Sequence, residues 1–265
     1  MEHVEGLLQK GIRIDARRLD EFREVSFVCR EPGSVETHIG NSKALGECVV
    51  EPVCPGRSRP DQGIFNIRVN FLEMANPNFY DSRGPRDLIE IGKVVERGLL
   101  STRAIDVDGL VIIRGKLVWK ITVCVHIIND CGNLMDLVSI TAISALLTAV
   151  RREVQICGTD VKILTPEERK PVPLAIHHIP ITVSFGITES GVPLLDPSER
   201  EESVCKSHLT IAINKEGEVC AVQKSGTPIS MKVIQKCCDT ALSKAKMLIK
   251  FISTQVQQSR EQLKK

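Results

Sequence analysis

Aromatic side chains are scarce in this sequence: 265 residues hold one Trp, one Tyr and seven Phe. Single-stranded nucleic acids are commonly held by stacking on aromatic rings, and no such platform is legible here. The core must be built from Val, Ile, Leu, Ala and Cys. A large excess of charge of one sign is also missing. The formal net charge is +2, so a site for a polyanion has to be a local cluster of cations. No apolar run approaches the length of a membrane span. The opening stretch, "MEHVEGLLQKGIRIDARR", is charged throughout and has no signal-peptide core. An intracellular protein with no membrane partner is expected.

The ten cysteines form no CxxC pair, and no His stands at zinc-ligand spacing from two of them. Free, buried thiols in a reducing compartment are expected, with no metal site and no cofactor. A glycine-rich phosphate loop and a nucleophile motif are both absent, which removes the support for a small-molecule enzyme. No long linker or low-complexity stretch divides the chain.

What is present is a sizeable apolar content, 42%, enough for one large core or two tightly joined halves. A short N-terminal helix leads into "REVSFVC", "SVETHIG", "KALGECVVEPV" and "GIFNIRVNFLEM", which read as strands. The period then changes. Leu88, Ile91, Val95 and Leu99 fall at helical spacing behind Pro85 and Asp87, which suit a helix start. "GLVIIRGKLVWKITVCVHII" reads as a hairpin turning at Gly115-Lys116, and "LVSITAISALLTAVRR" as a buried helix. The second half repeats the order with "IPITVSFGI", "VPLLD", "HLTIAIN" and "EVCAVQKSG". A long helix then runs from about Ser230 to about Gln258, with Val233, Cys237, Ala241, Ala245, Leu248, Ile252 and Val256 in steps of three or four. The expected fold class is α+β: one domain over 1–265, with two pseudo-symmetric strand-rich halves (about 8–152 and about 153–258), each closed by helices. His177 and His178 flank apolar strands and read as structural.

The stretch "DPSEREESVCKSH" concentrates Asp196, Glu199, Glu201 and Glu202 ahead of His208. Two readings stand side by side. One is an acid–base site; the other is a solvated acidic helix turn with Arg200 and Lys206 as local partners.

Several of these segments together resemble one family. "GIRIDARRLDEFREVSF", with its Arg-x-Asp-x-Arg motif, is similar to the opening of RNase PH proteins. "SVETHIGNSKALGECVVEP" resembles their next hairpin, and "GLVIIRGKLVWKITVCVHIINDCGNLMDLVSITAISALL" their central strands and helix. "TPEERKPVPLAIHHIPITVSFGI", "LLDPSEREE" and "AVQKSGT" are similar to the exosome branch. The resemblance runs from about 8 to about 255, and no single motif carries it; the order and spacing do. The branch member it resembles most is expected to continue with a tail past "EQLKK".

The resemblance implies the RNase PH fold and a six-membered ring of RNase PH-like exosome subunits encircling RNA. It also implies cap subunits with RNA-binding domains, an associated exoribonuclease, and a place in the nucleus, including the nucleolus, and the cytoplasm. Active relatives need a cationic turn for phosphate and a carboxylate pair. The phosphate turn aligns with "DCGNLMDLVSITA", where Gly132 is followed by Asn133 and Leu134 instead of a hydroxyl residue and Arg; a shifted alignment brings Asp136 to the Arg position. Neither alignment supplies a cation. The carboxylates, six residues apart, align with Glu202 and His208, and His in place of Asp removes an oxygen ligand. A catalytically inactive ring subunit supporting 3′→5′ RNA processing is the expectation. The alternative is a phosphorolytic exoribonuclease subunit, active alone or through a site shared with a partner. Candidate RNA contacts are Arg57 and Arg59 in "PGRSRPDQG", and Lys93 and Arg97, which share one helix face; Arg83, Arg86 and Arg103 are weaker. Each also reads as an ordinary surface cation, with Glu90 or Glu96 as partners on the helix.

Overall fold

Strand β2 (Ser34–Ile39) shows how the first half is built. Val35, Thr37 and Ile39 are buried while Ser34, Glu36 and His38 are only half-buried, the period-two pattern of a sheet with one covered face. The structure is a computed structural model that describes residues 2–56, 59–75, 85–157, 160–165 and 167–262. Helix α1 (Glu2–Gln9) leads into β1 (Val25–Glu31), β2, β3 (Ser42–Val53) and β4 (Ile64–Phe71). Helix α2 (Pro85–Ser101) follows, then the hairpin β5 (Val111–Ile113) and β6 (Leu117–Asn129). These strands form one sheet in the order β1-β2-β3-β6-β4, with β5 also on β6. Only β4 runs parallel to its neighbour β6, because α2 supplies the crossover between them.

Helix α3 (Leu134–Thr148) is apolar or small on nearly every side and is buried almost throughout. It lies against β2 and β3 on one side and β11 (Ile181–Ile187) on the other. Gly46 of β3 allows the approach: a Cβ there would stand 2.6 Å from Thr141 Cγ2 and 3.2 Å from the Thr141 carbonyl oxygen. The second sheet has the order β12-β11-β13-β14, adding β12 (Pro193–Leu195), β13 (Ser207–Ile213) and β14 (Val219–Gly226). Helix α5 (Met231–Gln262) closes it with Cys237, Ala241 and Ala245 against Val183, Phe185 and Ile211. Further along, Leu248, Ile252 and Val256 join the core of the first half. Helix α5 and strand β11 thus contribute to both of the molecule's apolar cores, one beneath each sheet.

The fold class agrees with the α+β expectation, and the symmetry is unequal. The first sheet has six strands and the second four. Two small ribbons were not foreseen: β7 (Val150–Arg151) with β10 (Val172–Pro173), and β8 (Val154–Cys157) with β9 (Asp160–Ile163). The cysteine expectation needs correction. The described thiols are free, yet only Cys237 is fully buried; Cys54 is exposed and the others are half-buried. Several sit on strands that have one uncovered face. Among the described residues no helix is long and apolar enough to cross a membrane.

Candidate functional site

The short helix α4 (Glu199–Glu202) stands between β12 and β13, and its charges do not all face water. Glu201 is 0% exposed and Arg13 is 2% exposed. Arg13 Nε and Nη2 donate to the two Glu201 carboxylate oxygens at 2.9 and 2.6 Å. The remaining Arg13 donors reach the Leu195 and Asp196 carbonyls at 2.8 and 2.9 Å. Removing both ions from water is costly, and this bidentate geometry with added carbonyl acceptors is what offsets it. The Ser198 N–H and hydroxyl both donate to Glu201 Oε2. The reading of Glu201 as part of a solvated turn paired locally with Arg200 and Lys206 is therefore wrong. Its partner lies 188 residues away in sequence. Glu199 is exposed and Glu202 half-buried.

Asp196, buried and at φ +48°, is the second anchor. Arg23 grips it with Nε and Nη2, both at 2.8 Å, and with its backbone N–H at 2.9 Å. Arg17 Nη1 adds a contact at 2.9 Å. Burial alone would raise the Asp196 carboxyl, but the hydrogen bonds and charge of Arg23 overcome it and hold it below the usual range. Arg23 also donates to the carbonyls of Cys131 and Gly132 at 3.2 and 3.0 Å. A cation does reach the "DCGN" turn. It comes from the N-terminal segment and is held in an ion pair with Asp196.

The turn itself is shaped for close packing. Gly132 has φ +93°, and a Cβ there would stand 2.4 Å from the Glu199 backbone nitrogen. Asn133, which caps α3, is left-handed at φ 56°, ψ 51°, a conformation Asn tolerates. Its N–H donates to Glu202 Oε1 at 2.7 Å, and its Nδ2 donates to both Asp136 Oδ2 (2.8 Å) and Asp196 Oδ1 (2.6 Å). Asp136 does not face a phosphate pocket. It is 0% exposed and accepts the Ser184 N–H at 2.9 Å and the Ser184 hydroxyl at 2.8 Å. Burial pushes its carboxyl up to about 7 despite these bonds from Asn133 and Ser184.

Beside this turn opens a cleft of about 630 Å³ between the two halves. Asn133, Leu134, Glu202 and His208 line it together, so four of the five aligned degenerate positions converge there, while Gly132 packs against the Glu199 backbone beside it. Asp87, Glu90, Asp130 and Glu199 line it too, and no Lys or Arg does among the described residues. Nor do three His, Cys, Asp or Glu side chains among those residues gather closely enough to hold a metal ion.

The sequence named Asp196 only within an acidic stretch, Asp87 and Glu90 only as helix residues, and Arg13 and Arg17 only within the Arg-x-Asp-x-Arg motif; it gave no site role to Asp130 or Arg23. A signal existed in the density of Arg in "RIDARRLDEFR" and the acids of "DPSEREE", two stretches that only the fold brings together. Of the candidate RNA contacts, Arg59, Lys93 and Arg97 are exposed. Lys93 pairs with Glu96 at 2.7 Å. Arg97 donates to Gln223 Oε1 at 3.4 Å, and Gln223 in turn donates to Glu90 at 2.5 Å. Arg86 and Arg103 are exposed; Arg57 and Arg83 lie outside the described residues. His178 Nε2 is 2.8 Å from the Thr102 hydroxyl, in keeping with a structural role.

Comparison with known proteins gives a consistent result. Domain 1 of the 3′ exoribonuclease family (RNase PH) matches residues 21–151, and domain 2 matches residues 178–244. The chain is 35% identical over 260 residues to exosome complex component RRP45A of Arabidopsis thaliana, covering 96% of this chain and 85% of that protein. It is 37% identical over 227 residues to exosome complex component RRP45 of Homo sapiens, covering 85% of this chain. The chain thus matches only about half, 52%, of the human relative's length. Among solved structures, a chain of the Archaeoglobus fulgidus exosome with RNA bound to the active site superposes with a TM-score of 0.81 at 29% identity, covering 93% of this chain and 95% of that one.

Proposed function

The chain belongs to the RNase PH family of 3′ exoribonucleases, and on that premise we propose that it is a phosphorolysis-deficient subunit of an exosome ring. It closes a six-membered ring with other RNase PH-like chains, under cap subunits with RNA-binding domains. There it guides RNA toward an exoribonuclease elsewhere in the assembly. The exosome names of its relatives and its likeness to archaeal exosome chains support the ring. Among the described residues β14 is an edge strand, and Val219 and Val222 on it are half exposed, which offers apolar surface to a neighbour.

The charge of the cleft carries the rest of the reading. Phosphorolysis needs inorganic phosphate held by cations and backbone N–H groups beside the scissile bond. Here the cleft presents five carboxylates and, among the described residues, no Lys or Arg. At an effective dielectric of about 20, each unit charge about 8 Å from a phosphate charge repels it by about 2 kcal/mol. The Asn133 N–H, where a phosphate oxygen would be received, is instead taken by Glu202. Arg23, the cation nearest the turn in hydrogen-bond terms, is bound to Asp196.

A phosphate-dependent assay on poly(A) tests this directly, with Glu202→Gln and His208→Ala as controls. No release of nucleoside diphosphates above background is expected from the chain or from a ring whose other subunits carry no activity. Release that both substitutions abolish would overturn the inactive reading in favour of a phosphorolytic site.

A further inference from the structure

Away from the cleft, a second cavity of about 130 Å³ opens where the segment 174–177 crosses the first half. Ile105 bridges to Ile176, and the His177 N–H donates to the Ala104 carbonyl at 2.9 Å, which fixes the segment in place. The interior is aliphatic, built from Ile105, Ile121, Leu146, Leu174 and Ile176. Interiors close-pack to leave few such voids. An apolar cavity of about 150 Å³ is enough to take up a benzene-sized group, so this one matches the side chain of a leucine, isoleucine or methionine.

Its rim carries opposite charges. Arg151, Asp106 and His177 also line the cavity, and they reach solvent: Asp106 and His177 are exposed and Arg151 is half-buried. The Arg151 guanidinium and the His177 ring make no hydrogen bond or ion pair with the described residues, and Asp106 accepts only the Asp108 N–H, at 3.1 Å. A small aliphatic hole flanked by one cation and one anion is complementary to a short peptide. We propose that this cavity is an anchor site for an extended segment of a protein partner, one aliphatic side chain entering the hole while an acidic and a basic residue two positions to either side, on the same face of the segment, meet Arg151 and Asp106. The proposal is independent of the cleft and of the ring reading. Buried anchors of this kind concentrate binding energy in one residue, while the flanking charges set direction and specificity.

The test uses the full chain with labelled Ile and Leu methyl groups and two probes, acetyl-Glu-Ala-Leu-Ala-Lys-amide and acetyl-Lys-Ala-Leu-Ala-Glu-amide. One of the two charge orders should give saturable shifts at Ile105, Ile121, Ile176, Leu146 and Leu174. Replacing the peptide Leu by Ala should weaken binding by about tenfold or more. Arg151→Gln, a half-exposed position whose effect on folding the same spectrum monitors, should weaken it several-fold. Leu174→Phe, which fills the hole, should abolish the shifts. The site is overturned if neither order gives saturable shifts at these methyls, if the Ala peptides act equally, or if Arg151→Gln leaves binding unchanged.

Discussion

A carboxylate at the N-terminus of α3 shows how much a single residue's environment decides. Asp136 enjoys the favourable end of a helix and three hydrogen bonds, yet burial still lifts its carboxyl to about 7. Its folded value therefore lies above that of the unfolded chain, so between about pH 4 and 7 the folded state binds the extra proton. From this group alone, stability falls as pH rises through that window, by at most about 1.4 kcal/mol per unit. Asp196 works in the opposite sense. Its folded value is lowered, so its contribution is present above the usual carboxylate range and is lost as acid protonates it. Asp136→Asn separates the two. Its amide can still accept from Ser184 and Asn133, and the Ser184 hydroxyl, 2.9 Å from the Thr210 hydroxyl, can turn to accommodate the new donor. Thermal unfolding should show the variant gaining on the wild type from pH 5 to pH 8. A gap that is constant with pH would mean that Asp136 is not the titrating group. The Arg13–Glu201 pair presents a different balance, since either ion alone would be left buried and uncompensated.

At the level of elements, legibility follows the range of the interactions. Helices α2 and α5 and strand β2 announce themselves because burial repeats along a few consecutive residues, and their apolar positions are the ones found in the core. The ribbons β7/β10 and β8/β9 are two to four residues long, too short for any period to register. The cleft was visible only as residue types. That Glu202, Asn133 and His208 meet follows from strand register and from the Arg13 and Arg23 contacts, which span 188 and 173 residues. No local pattern encodes such distances. The packing of α3 on β3 is a sharper case, because one glycine sets it. Gly46→Ala places a methyl against Thr141 Cγ2 and the helix backbone, and should cost about 1–3 kcal/mol as overpacking. It would appear as a lower urea midpoint with unchanged slope. Thr141→Ser removes the closer contact and keeps a hydroxyl for the bond to Leu137 O, which is 2.7 Å in the wild type. The double variant should therefore recover part of the loss, and simple additivity would argue against this contact as the cause.

For the whole molecule, the proposed guidance of RNA raises a question of charge, because the chain is nearly neutral and its cleft is acidic. The net charge of +2 cannot attract a polyanion over a distance, so guidance has to come from a few exposed cations set away from the carboxylates. Arg59, Lys93 and Arg97 are exposed and none of them lines the cleft, although Lys93 and Arg97 have acidic neighbours. The Lys93–Glu96 pair is solvent-facing on the lysine side, and surface pairs of this kind are worth at most about 1 kcal/mol. A phosphate can therefore compete for the lysine. Arg97 reaches the cleft wall only through Gln223 and Glu90, which leaves its outer face to a passing strand. In a reconstituted ring, Arg59→Glu combined with Lys93→Glu and Arg97→Glu should weaken single-stranded RNA binding without regard to sequence. If each cation neutralises one phosphate, the slope of log affinity against log salt should become shallower by about 2. An unchanged slope in an intact ring would place the RNA path elsewhere on the subunit, while leaving the inactive reading of the cleft to stand or fall on the phosphate assay.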